Sequence, residues 1–126
     1  MIKHKITISA IPEQIYSAWL SSDGHSKMTG ATAEISDKIG DIFTAWDGYI
    51  AGENLELIKN KKIVQSWRTS EFADDDLDSK LTITLKEVNG GTELTLEHSD
   101  TPPDQEDAYR SGWQENYFDP MQDFFQ

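Results

Sequence analysis

The stretch from Asp104 to Gln126 constrains the fold most. Within it Tyr109, Trp113, Tyr117, Met121 and Phe124 recur at spacings of four, four, four and three, which puts them on one broad face of a helix. A helix with that much ring surface must lie on an apolar surface of similar extent. Pro120 falls inside the pattern. A proline in a helix interior removes a backbone donor and costs about 3 kcal/mol. The helix is therefore expected to run to about Asp119 and to kink or restart there, with a bent terminal turn carrying Phe124.

What precedes this helix reads mostly as strands. Ile2, His4, Ile6 and Ile8 alternate with Lys3, Lys5, Thr7 and Ser9, as in a strand with one buried face. Pro12–Leu20 reads as a short amphipathic helix, with Pro12 in its first turn and Ile15, Ala18 and Trp19 on one side. Ser21-Ser22-Asp23-Gly24 offers turn and cap chemistry, and His25–Thr29 adds one further helical turn. The period then changes to two. Ala31–Ser36 and Asp41–Trp46 are expected strands joined by Asp37-Lys38-Ile39-Gly40, and Asp47-Gly48 is a hairpin signal leading into Tyr49–Ile58. Gly52 inside that run suggests a bulge or bend. Ile63–Thr69 follows, then an acidic loop over Phe72–Ser79, then a hairpin of Lys80–Val88 and Thr92–His98 across Asn89-Gly90-Gly91. Strands joined by short loops pair antiparallel. The expected class is α+β: a curved antiparallel sheet of about six to seven strands around a long C-terminal helix, forming one domain over residues 1–126.

The charge is placed unevenly. Residues 1–70 hold eight basic and eight acidic side chains, whereas 71–79 contribute −5, 80–103 contribute −2 and 104–126 contribute −5, which sums to the net −12. Such a surface repels phosphate backbones and anionic lipid, so nucleic acid and membrane surfaces are not expected partners. The absence of cysteine excludes a disulfide scaffold and thiolate chemistry. No apolar run approaches a membrane span, and the alternating N-terminus reads as a strand and not as a signal peptide; the expected location is the cytoplasm.

Few residues suggest catalysis. Neither a dinucleotide fingerprint nor a P-loop occurs, and His4, His25 and His98 lack the spacing of a metal site. His98, beside Ser99 and Asp100, reads as a structural strand-end histidine. Asp74, Asp76 and Asp78 imitate the first half of a calcium loop, but Ser79 stands at the glycine position and Leu85 at the closing glutamate. No carboxylate pair, metal or cofactor is assigned, and no enzyme is expected. What remains is aromatic surface: four tryptophans, five phenylalanines and four tyrosines. These rings either fill the core or line a cavity between sheet and helix that takes a small hydrophobic molecule. Trp19, Phe43, Trp46, Trp67, Tyr109, Trp113, Tyr117 and Met121 are its candidate lining. Buried indole N–H and tyrosine O–H groups would need partners there.

Several blocks also carry a family resemblance: Gly40-Asp41-Ile42-Phe43, Gly48-Tyr49-Ile50-Ala51-Gly52-Glu53, Ile63-Val64-Gln65-Ser66-Trp67-Arg68, Gly91-Thr92-Glu93-Leu94 and Gly112-Trp113-Gln114-Glu115-Asn116-Tyr117-Phe118. In this order the chain resembles the bacterial homologues of the activator of the Hsp 90 ATPase, within the START/birch-pollen-allergen-like (SRPBCC) superfamily. The resemblance implies a helix-grip fold with a cavity between sheet and helix, and a lipid, polyketide or flavonoid-like ligand. It also implies an alternative role as a chaperone-associated, stress-response protein that acts through its surface. The eukaryotic activator, whose C-terminal domain this chain looks like, associates chaperone binding with a separate N-terminal domain for which 126 residues leave no room.

Overall fold

A computed structural model describes residues 1–126. The chain runs β1 (Ile2–Ile8), α1 (Pro12–Trp19), α2 (Ser22–Thr29), β2 (Ile42–Ala45), β3 (Ile50–Ile58), β4 (Lys62–Thr69), β5 (Ser79–Val88) and β6 (Gly91–Ser99). It closes with α3 (Glu106–Trp113), a π-helical turn over Gln114–Phe118 and α4 (Asp119–Phe124). The strands form one antiparallel sheet in the order β1-β6-β5-β4-β3-β2. The meander β2 to β6 is sequential, and β1 returns to pair with β6. The sheet curves around the C-terminal helical segment, which is the helix-grip arrangement expected.

Alternation sets the gripping face. Thr92, Leu94, Leu96 and His98 on β6 and Ser79, Leu81, Ile83 and Leu85 on β5 are buried, while their neighbours in sequence are more exposed. Trp67 on β4 meets Trp113 and Tyr109 of α3 at ring-centroid distances of 5.6 and 5.0 Å. Trp19 of α1 closes the far end against Tyr117 at 5.1 Å. The core is therefore continuous from sheet through helix, with aliphatic side chains of the sheet packed against the rings of the helix.

Three expectations need correction. Ala31–Ser36 is not a strand of the sheet; it touches β2 through a single bridge, Glu34 to Thr44. Its alternation is real, with Ala33 and Ile35 buried, but its backbone is engaged elsewhere. Ser22 Oγ bonds both N–H and C=O of Ile35, and Ser26 Oγ bonds both groups of Ala33. Those serines belong to α2, which is a full helix and not one added turn. Ser21 caps its start by accepting from the Gly24 N–H at 3.1 Å, and Gly30 ends it in the left-handed region at φ 84°.

The second correction concerns Gly52. The irregularity in β3 lies between Asn54 and Glu56, and Gly52 pairs regularly with Phe43 and Trp67. Glycine is needed there because a Cβ would stand 1.9 Å from the Ser66 carbonyl oxygen and 2.7 Å from the Phe43 ring. The third concerns the last helix. α-Helical bonding resumes at Asp119, next to Pro120, but the helical backbone is continuous there, and α-helical bonding already gives way after Trp113. The Asp119 N–H reaches back five residues to the Gln114 carbonyl, and Pro120 then falls in a first turn, where a missing N–H costs little. The wider turn also places two adjacent residues inward: Tyr117 and Phe118 are both buried, while Phe124 is largely exposed.

Gly52→Ala is expected to cost about 2–3 kcal/mol through overpacking against a backbone carbonyl that cannot retreat. Urea unfolding should show a lowered midpoint with an unchanged slope.

Candidate functional site

The C-terminal helical segment is held to the sheet side by three histidines, each at a different turn. His4 Nε2 lies 2.9 Å from the Arg110 carbonyl oxygen and donates to it. Trp113 Nε1 donates to His98 Nδ1 at 3.1 Å. Because an indole N–H can only donate, His98 must be an acceptor at Nδ1 and carry its proton at Nε2. That proton goes to Ser79 Oγ at 2.8 Å, and Ser79 passes its own to the Trp67 carbonyl at 2.6 Å. His25 has the opposite tautomer: Nδ1–H donates to the Trp19 carbonyl at 2.8 Å, and Nε2 accepts from the Tyr117 hydroxyl at 2.9 Å.

Burial pushes the His98 pKa down to about 4 and lowers that of His25, and it raises that of Tyr117. All three groups are neutral near pH 7. Protonated His98 would set an N–H against the Trp113 N–H. The expectation of a structural role for His98 fits this geometry, with no part taken by Ser99 or Asp100.

A second polar chain ties α1 to the middle of the sheet. Trp19 Nε1 donates to Gln65 Oε1 at 3.4 Å, Gln65 Nε2 to Asn54 Oδ1 at 2.8 Å, and Asn54 Nδ2 to the carbonyls of Ser36 and Lys38. Gln65 and Asn54 are buried, so each bond here replaces one to water.

Between β3, β4 and the helical segment lies a cleft of about 240 Å³. Three tryptophans (Trp46, Trp67, Trp113) and three tyrosines (Tyr49, Tyr109, Tyr117) line it, with Ile50, Gly112 and Asn116. Of the eight candidates from sequence, Trp46, Trp67, Tyr109, Trp113 and Tyr117 meet at this cleft. Trp19, Phe43 and Met121 are buried outside its lining. Tyr49 was missed because the hairpin signal at Asp47-Gly48 drew it into the strand count; its position just after that turn was the available sign.

The rim of the cleft is polar and acidic. The Tyr109 hydroxyl donates to Gln105 Oε1 at 2.5 Å and pairs with Thr69 Oγ1 at 2.7 Å; Gln105 Nε2 reaches the Glu71 carbonyl at 3.0 Å. The Tyr49 hydroxyl donates to the Glu71 carboxylate, and burial, aided by that carboxylate, pushes its pKa up to about 12. Trp46 combines two unusual features: a left-handed backbone at φ 51° and a buried indole N–H without a partner. The acidic loop beyond the rim is organised by Arg68. Its guanidinium pairs with Asp78 at 2.7 Å, bonds the carbonyls of Ala73 and Asp76, and lies 5.3 Å from the Phe72 ring centre. Asp76 accepts from the Ala73 N–H. Two of the three carboxylates that imitate a calcium loop, Asp76 and Asp78, thus serve the loop's own fold.

A family model described as "Activator of Hsp90 ATPase homolog 1-like protein" matches residues 9–126. The human protein named "Activator of 90 kDa heat shock protein ATPase homolog 1" is 31% identical over 121 residues, covering 96% of this chain and 36% of that protein. The mouse protein named as homolog 2 is 28% identical over 109 residues, covering 86% of this chain and 33% of its own length. This chain therefore spans about a third of these relatives. Among solved structures, one described as an HSP90 activator from Plasmodium falciparum superposes with a TM-score of 0.87 at 24% identity, covering 98% of this chain and 96% of the other. A Mesorhizobium loti protein superposes at 0.81 with 26% identity, covering 97% and 93%. These likenesses fix the fold. No helix is long and apolar enough to cross a membrane.

His98 makes the stability of the fold depend on pH. Its folded pKa lies below the ordinary value of 6.5, so the unfolded chain binds more protons as pH falls between 6.5 and about 4. Its contribution is complete above pH 6.5 and is lost through that window, amounting to about 3 kcal/mol at most. Urea midpoints measured from pH 7 downward should fall accordingly, and His98→Gln should flatten that part of the profile while lowering stability at pH 7.

Proposed function

Because the chain belongs to the family described as Activator of Hsp90 ATPase homolog 1-like protein, we propose that it is a non-enzymatic, chaperone-associated domain that meets an Hsp90-type chaperone through its surface. The observation that carries this reading is the match to the human activator along 96% of the chain at 31% identity. The relatives favour this surface role over the hydrophobic-ligand role that the aromatic content suggested first.

The chemistry of the surface supplies a docking region. Glu71, Asp74, Asp75, Asp76 and Asp78 stand close in sequence, and Arg68 holds their loop against Phe72 and β4. A pre-ordered acidic loop loses little entropy on docking, and a basic face on the partner is its complement. Calorimetric titration of the chaperone from the same cell, with its ATPase rate followed in parallel, tests the reading. Binding that weakens with salt is expected, and Asp74→Asn with Asp75→Asn should weaken it several-fold, mainly through the association rate. No binding together with no change in ATPase rate would sink the proposal.

A second reading rests on the cleft. Its 240 Å³ and its aromatic walls suit a small hydrophobic molecule held between sheet and helix, with Trp46, Trp67, Tyr109, Trp113 and Tyr117 as contacts. Gly112, on the helix wall, is the position for a blocking substitution. Gly112→Leu should abolish ligand-induced changes in tryptophan fluorescence while leaving chaperone binding intact; loss of both together would merge the two sites into one.

A further inference from the structure

We infer that the cleft takes a small organic cation, an alkylated or quaternary ammonium group seated among ring faces with Glu71 at its rim. This deepens the ligand reading and rests on it. Six of the nine lining residues are tryptophan or tyrosine, and none is lysine, arginine or histidine. Ring faces attract a cation through their quadrupole and do so more strongly where water is thinned out.

A carboxylate stands next to one of these rings. Glu71 accepts from the Tyr49 hydroxyl and makes no ion pair. The chain's two arginines are engaged elsewhere: Arg68 with Asp78, and Arg110 with Glu106 and Asp107. Tyr49, with its pKa near 12, stays a neutral phenol and holds the carboxylate at the mouth. A rim anion without a protein counter-ion, above aromatic walls without a base, is matched by a cation and repels an anion. The net charge of −12 steers in the same direction. Trp46 closes one wall at a local cost, with a left-handed φ of 51°. Such costs are found where a wall is shaped for binding more than for stability.

The test compares choline with its uncharged carbon isostere, dimethylbutanol, at fixed ionic strength, reading the indole N–H signals of Trp46, Trp67 and Trp113 by NMR. Choline is expected to bind about tenfold more tightly than the alcohol. Glu71→Gln, a surface change that leaves the fold's unfolding midpoint near wild type, should narrow that ratio and leave the alcohol's affinity unchanged. Equal binding of the two probes would overturn the cation inference and leave the ligand reading standing. If neither probe moves the indole signals, both fall. Choline shifts confined to residues 71–79 would mark surface attraction alone and would equally overturn the inference.

Discussion

The fold depends on one exchange of a proton donor and an acceptor, Trp113 Nε1–H to His98 Nδ1. An indole buried at the centre of a core contributes large apolar area but brings an N–H that is costly to leave unmade. His98 accepts it only while neutral, and it stays neutral because the surrounding rings keep water away. Ser79 then fixes the tautomer from the other side. Packing and protonation state thus support each other: the rings hold the imidazole neutral, and the neutral imidazole lets the rings bury. The same logic recurs one turn later at His25 and Tyr117. The helix is positioned by polar contacts whose strength comes from apolar surroundings.

Much of this architecture could be read from the chain before its structure. Alternation in β1, β5 and β6, the turn residues between strands and the ring spacing of the last helix led to the sheet, its antiparallel pairing and the gripped helix. What stayed hidden had physical reasons. Ala31–Ser36 alternates as a strand should, but alternation reports burial and says nothing of backbone partners, which here are serine hydroxyls of α2. Gly52 reads as a bend because a glycine's absent side chain looks alike whether it frees the backbone or admits a neighbour; here it admits Phe43 and the Ser66 carbonyl. The proline marked a disturbance of helical bonding, but the π-helical turn ahead of it, and with it the burial of Phe118, follows from how the chain absorbs one lost bond.

The candidate site was legible in composition and less so in place. Five of its rings belong to the set named from sequence, because large aromatics on facing elements meet wherever a sheet wraps a helix. Trp19, Phe43 and Met121 belong to the same core but lie beyond the cleft, a distinction set by depth along the helix and invisible to spacing. The polar connections were less visible still. His4, His25 and His98 are scattered in sequence, yet each meets a residue of the last helical segment.

The pairing of β1 with β6 has a consequence for the order of events during synthesis. Ile2 lies opposite His98, and Ile8 opposite Thr92, so β1 must wait for β6. The meander from β2 to β6 can zip through local hairpins, whereas β1 closes a loop of some ninety residues and gains its partners only at the end. Until then both β1 and β6 present open hydrogen-bonding edges, the condition under which chains pair with the wrong neighbour. Lys3 on β1 stands opposite Glu97 of β6, and Lys5 reaches Glu93 diagonally at 4.0 Å, so those edges carry opposite charge. The charges disfavour each strand meeting a copy of itself and favour the pairing that completes the sheet.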